Sequence, residues 1–253
     1  MNQASRQSLL LFCAITPTLA AGLRPLSTDR PDTTESPYSV DAGHFQFETE
    51  IAAWTRDGGD FTEYSLGELN AKYGLNASTD LQVVLPFYTH VRDGDEGFGD
   101  IQLRLKRNLW GNDEGSTALA VMPYVKLPTA RGDLGNDDFE GGLIVPFGFD
   151  GPADWSCAVM GELDLASDED SGGYNLLGLV SATASHDLTE CTAAFFEIVG
   201  IFSPETSDDH EAYFNSGMTW AVSETIQLDG GVRVGLTNAA TDFSPFLGLS
   251  TKF

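Results

Sequence analysis

From residue 44 onward, apolar and polar residues alternate with a period of two. In the stretch 226–236 the even positions hold Ile, Leu, Gly, Val, Val and Leu, and the odd ones Gln, Asp, Gly, Arg and Gly. Side chains alternate across a β-strand, so such a stretch has one apolar and one polar face. The same split separates Phe45, Phe47, Thr49 and Ile51 from Gln46, Glu48 and Glu50. It separates Ile101, Leu103 and Leu105 from Gln102, Arg104 and Lys106, and Leu143, Val145 and Phe147 from Glu140, Gly142 and Gly148. Turn formers cut this pattern at regular intervals, predicting twelve strands at about 44–55, 61–75, 79–91, 98–109, 116–128, 137–149, 154–166, 172–186, 190–203, 209–222, 225–237 and 243–253. The connections alternate between tight turns (76–78, 111–114, 150–153, 187–189, 223–224) and longer acidic loops (92–97, 131–137, 167–171, 204–209).

An even number of strands, with short turns on one rim and long loops on the other, suits a closed barrel across a bacterial outer membrane. The predicted fold is all-β: a single closed antiparallel transmembrane β-barrel of about twelve strands over 44–253. Alternation alone does not say which face points inward. The chain ends in Phe253, in phase with Leu249, Leu247 and Phe243. This resembles the last strand of outer-membrane proteins, where a terminal aromatic is the insertion signal read by the barrel-insertion machinery. All four Trp, at 54, 110, 155 and 220, fall near predicted strand ends, as the aromatic girdles of a lipid-embedded barrel do. In that orientation the polar face lines the lumen, and the residues expected there are Glu48, Glu50, Lys72, Arg104, Lys106, Glu162, Asp229 and Arg233.

Ahead of the strands, residues 1–21 read as a secretory signal peptide: one base at Arg6, an apolar run from Leu9 to Ile15, then small residues at Thr18, Ala20 and Ala21. Residues 22–43 are polar and interrupted by Pro25, Pro31 and Pro37, which block a helix or a central strand. They predict an extended periplasmic lead-in or a plug entering the lumen, with Asp29, Arg30, Asp32 and Glu35 available to pair with wall charges.

Charge narrows the partners. Lys and Arg number 13 against 38 Asp and Glu, a formal net charge of −25. Removing the signal segment takes away one base and no acid, leaving about −26. No basic surface remains to neutralise phosphates, so no nucleic-acid partner is expected. Three Cys are too few for a disulfide scaffold and lack zinc spacing.

Thr28 to Pro37, followed by Gly43-His44-Phe45-Gln46-Phe47-Glu48, resembles the opening motif of the transporter-like outer-membrane proteins associated with the meta-pathway of phenol degradation. The similarity continues in Gly97-Phe98-Gly99-Asp100 ahead of Lys106, in Leu127-Pro128-Thr129 and in Gln227-Leu228-Asp229, and covers nearly the whole mature chain. The resemblance implies an outer-membrane barrel and a role in passing small, aromatic or hydrophobic solutes by passive uptake or efflux.

Catalysis has little support. Ser185 adjoins His186, but neighbouring strand residues point to opposite faces, and no G-x-S-x-G occurs. No enzyme, cofactor or metal site is expected. The acids at 168–170 and 208–209 read as solvated loops, with divalent-cation binding the alternative. Two functions stand: a monomeric barrel in outer-membrane lipid that admits a small-molecule solute, and a non-transporting barrel with a structural or surface-interaction role, whose lumen charges only hold the wall together.

Overall fold

In hydrocarbon no water is available to pair exposed backbone groups, so strands that cross a membrane must close on themselves. A computed structural model describes residues 23–59, 61–168, 172–203 and 210–253 and shows this closure. The expected signal peptide lies outside the described residues, as do the loop acids Glu169, Asp170, Asp208 and Asp209. The strands are β1 (Phe45–Asp57), β2 (Phe61–Asn76), β3 (Thr79–Val91), β4 (Glu96–Gly97), β5 (Ile101–Trp110), β6 (Thr117–Leu127), β7 (Glu140–Asp150), β8 (Ser156–Asp168), β9 (Gly173–Asp187), β10 (Thr192–Phe202), β11 (Glu211–Ser223), β12 (Ile226–Gly235) and β13 (Phe243–Lys252). Twelve of them form one closed antiparallel ring in chain order, sealed where β1 pairs with β13. The extra piece, β4, pairs with Thr89 and His90 of β3 outside the ring. It had no counterpart in the sequence pattern, being only two residues long.

The ring meets in register. Phe253 N–H donates to the Phe45 carbonyl (2.8 Å) and Phe45 N–H to the Phe253 carbonyl (3.2 Å). An even strand count brings both ends of the wall to one rim, the rim with the tight turns. Such turns lie on the periplasmic side of outer-membrane barrels. On the opposite rim, Asp100 accepts N–H groups from Thr129 and Ala130 (2.8 Å each) and Asn136 (3.0 Å). Two segments far apart in sequence, 97–100 and 127–129, thereby become one loop cluster.

The outer face is apolar. Phe45, Leu103, Leu143, Leu163, Phe196, Ile198, Phe214, Leu247 and Phe253 are all exposed on it. The chain thus sits in the outer membrane with these side chains towards lipid. Trp110, Trp155 and Trp220 lie at the periplasmic ends of their strands and Trp54 near the opposite end of β1. At the seam the alternation slips once: the β1–β13 register shifts between Glu50 and Ala52, so Ile51 and Ala52 both leave the lumen and Ala53 turns in. The beginning and end of the wall are otherwise continuous.

An arginine at the bilayer midplane of such a wall costs about 2–4 kcal/mol. Leu163 lies at the centre of β8 and is 55% exposed. Leu163→Arg is therefore expected to lower the folding free energy in lipid vesicles by that amount, measured by denaturant titration. An unchanged midpoint would show that this face does not meet lipid.

Candidate functional site

Residues 23–43 are not in the wall but inside it. The segment enters at the periplasmic rim, where Arg24 Nε donates to Asp41 (2.8 Å) and Arg24 Nη1 to the Ala77 carbonyl (3.0 Å). It climbs to mid-lumen, turns over residues 30–35 and returns. The Ser27 and Ser36 hydroxyls, 2.7 Å apart, tie the two arms, and Ser36 N–H donates to Asp29 (2.9 Å). The descending arm is fastened by Asn108 Nδ2 donating to the Pro37 carbonyl (2.9 Å) and Val40 N–H donating to Asp80 (2.9 Å). At the exit Ala42 bridges to Gly74, where a Cβ would overlap the Asp41 carbonyl.

The expected plug residues and wall residues meet in one network. Lys72 bridges Asp29 and Glu48, and Lys106 Nζ donates to Asp29 (2.6 Å). The backbone N–H groups of Asp29 and Arg30 donate to Glu48 (2.9 and 3.0 Å). Arg30 pairs with Asp229 (2.9 Å) and Glu50 (3.5 Å), while Arg233 pairs with Glu50 (2.9 Å). Gly248 makes room for this: a Cβ there would overlap the Arg30 guanidinium. Arg104 donates to Glu35 (2.6 Å). Glu162 faces the lumen beside Asp164, whose carboxylate accepts from Tyr124 (2.6 Å). Asp32 has no base as partner among the described residues.

Pattern reading missed a third anchoring point. Glu197 of β10 is 1% exposed and accepts Thr33 N–H (2.9 Å), Thr34 N–H (2.7 Å) and Asn215 Nδ2 (2.7 Å). Its signal was present, a lone acid in the inward phase of an apolar strand. At the rim, Lys252 pairs with Asp41 (3.2 Å).

Burial and neighbouring charge set the titration of this N-terminal segment, which does not itself span the membrane. Against the burial that would raise it, Lys106 and Lys72 hold the Asp29 carboxyl well below its usual range. Burial, with Glu197 adding to it, pushes Asp32 up to about 7. Burial and the Asp29 charge bring Glu35 to about 7 as well.

The inner wall is not uniformly polar, which corrects the expectation from alternation. Met122, Ile144 and Met160 point inward from β6, β7 and β8 and pack with Tyr124 and Leu179. Phe195 and Phe246 also face inward, 3% exposed each, and pack with Ala53. Arg233 lies 4.3 Å and Arg30 5.6 Å from the Phe246 ring centroid. Cationic guanidiniums are attracted to the negative face of an aromatic ring, so the ring adds to the seating of both. The segment's ion pairs to the wall lie on β1, β2, β5, β12 and β13, while β6–β11 present mainly apolar and small inward residues beside Lys126, Glu140, Glu162, Asp164 and Glu197. Ser185 lines the lumen, while His186 stacks on Trp155, ring centroids 5.1 Å apart. No catalytic pair forms there. Cys157 and Cys191 are free thiols.

Two cavities flank the turn of the segment. One, of about 310 Å³, is lined by Asp29, Asp32, Glu35, Glu48, Glu50 and Glu68 together with Arg30, Arg104 and Arg233. The other, of about 290 Å³, lies between residues 28–38 and the inner face of β7–β11.

A closed twelve-stranded wall with an apolar exterior and a charged interior defines an outer-membrane β-barrel. Residues 28–253 match the model of the family described as the "MetA-pathway of phenol degradation", and the chain belongs to that family. No curated protein matches it. Among solved structures, an outer-membrane channel of Pseudomonas putida F1 is 18% identical with a TM-score of 0.64, covering 90% of this chain and 100% of its own. The NanC porin is 10% identical with a TM-score of 0.57, covering 82% of this chain and 100% of its own. At these identities the likeness is one of fold.

Breaking a buried ion pair on one side costs about 3–5 kcal/mol, because the remaining charge has no water. Lys72→Met is expected to destabilise the barrel by that amount and to expose 23–43 to protease added from the periplasmic side. Adding Glu48→Gln should recover part of the loss. Unchanged melting and protease resistance in Lys72→Met would contradict the assignment of this network as the anchor.

Proposed function

We propose that the protein is a passive channel for small solutes, with residues 23–43 as a plug seated from the periplasmic side. The observation that carries this is the pair of cavities left on either side of the plug turn: the barrel is occupied but not filled. A wall built only to be stable would close such space with side chains, as small barrels do.

The split lumen suits a small aromatic solute that carries a polar group. Met122, Ile144, Met160 and Phe195 offer a surface for the ring, and the opposing charged side offers partners for the polar end. The family description and the phenol pathway it names support the same reading. Glu48, Glu50, Lys72, Lys106 and Asp229 then serve as the plug's socket, whereas Arg104, Arg233 and Glu162 border the solute's space. The protein acts as a monomer, since each chain closes its own ring.

In planar bilayers the refolded protein is expected to give discrete, low-conductance openings. Deletion of residues 24–43 should raise that conductance severalfold. Silence from both proteins would sink the channel reading. Phe253, 67% exposed at the end of the wall, is proposed as the insertion signal. Its deletion should reduce the yield in outer-membrane fractions more than it alters the melting of barrels that do assemble. Equal yield would refute that role.

A further inference from the structure

The plug is fastened unevenly. Towards β1–β3 and β5 it is fastened by Lys72 and Lys106 on Asp29, by Asn108 on Pro37 and by Asp80 on Val40, below the cavity of about 310 Å³. Towards β8–β11 it touches the wall at its tip, where Thr33 and Thr34 meet Glu197, and leaves the cavity of about 290 Å³ beside it. The wall there is made of small inward side chains in adjacent register pairs: Ser156 with Ser185, Ala158 with Thr183, and Ala193 with Thr219. The lining of this slot and that of the cavity of about 310 Å³ share four residues, Arg30, Pro31, Asp32 and Glu35, all on the plug turn.

We propose that solute passes the seated plug through this side slot, and that Asp32 and Glu35 on the plug turn, rather than groups on the wall or the outer loops, filter it by charge, favouring neutral and cationic solutes over anions. The proposal rests on the channel reading above and assigns the charge class of its solute.

The charges at the turn support this. Arg30 is neutralised by Asp229 and Glu50. Asp32 has no basic partner among the described residues. Glu35 gives one oxygen to Arg104, and its Oε2 has no hydrogen-bond partner among the described residues. In the adjoining cavity six carboxylates face three guanidiniums, and two of the six, Asp29 and Glu48, are held by Lys72 and Lys106, which leaves a small excess of acid. A narrow passage carrying one sign of charge concentrates counter-ions and repels co-ions. A phenolic hydroxyl, with a pKa near 10 as in tyrosine, is uncharged at neutral pH and meets no repulsion. An aromatic carboxylate does meet it.

Two measurements on the full-length mature channel test this. At pH 8, where both turn carboxylates are ionised, the D32N/E35Q variant should retain its conductance while its cation-to-anion permeability ratio falls roughly to half. In the second, A158C is placed in a C157S/C191S background, needed because Cys157 itself borders the slot, then folded and treated with a bulky methanethiosulfonate. Its conductance should drop by more than half, while the C157S/C191S channel without A158C is unaffected. Unchanged selectivity in D32N/E35Q would overturn the filter, and unchanged conductance in modified A158C would overturn the slot. Failure of the channel reading would be seen separately, as a silent wild-type protein.

Discussion

A charge enclosed by a lipid-bound wall must find either a counter-charge or water, and the arrangement of this lumen follows from that demand. Moving an ion out of water costs several kcal/mol after relaxation, and attraction to a partner offsets this only with good geometry and satisfied hydrogen bonds. Here the wall supplies more acid than it can neutralise by itself. Glu48 and Glu50 on β1, Asp229 on β12 and Glu197 on β10 all point inward. The N-terminal segment brings what they lack: the Arg30 guanidinium for two of them, and backbone N–H groups for Glu48 and Glu197. It also brings Asp29, which completes the shell of Lys72 and Lys106. Segment and wall are thus complementary electrostatic halves of one interior.

The same demand explains where the segment is not attached. Inward positions on β6–β9 are largely Met, Ile, Leu, Gly, Ala, Ser and Thr, and their charged groups, Lys126, Glu140, Glu162 and Asp164, make no ion pair with the segment among the described residues. Contact there is sparse and space remains. Pairing decides where the segment is held, and space remains on both sides of its turn.

Much of the wall was legible in the sequence. Every ring strand falls within three residues of its expected bounds, because period-two patterning and turn residues carry that information locally. The inward placement of Lys72, Arg104, Lys106 and Arg233 was legible for the same reason, since phase fixes the face. Partnerships were not. Arg30 and Asp229 are 199 residues apart, and nothing local in either stretch names the other. Met122, Ile144 and Met160 were hidden because an apolar residue in the polar phase of an alternating strand carries no signal of its own. The slip at Glu50–Ala52 was hidden because Ile51 and Ala52 are both apolar, and a bulge shows itself only in the pairing.

The span of the Arg30–Asp229 contact also constrains how the molecule is made. The segment that leaves the ribosome first finds its partners on strands that leave it last: Asp229 on β12, Gly248 and Lys252 on β13. Its socket does not exist until those strands have joined β1. Complete seating of the segment therefore requires a closed wall, and a wall arrested short of closure would leave Arg30 without Asp229 and Asp41 without Lys252. Chain order alone thereby makes a sealed interior the mark of a finished molecule.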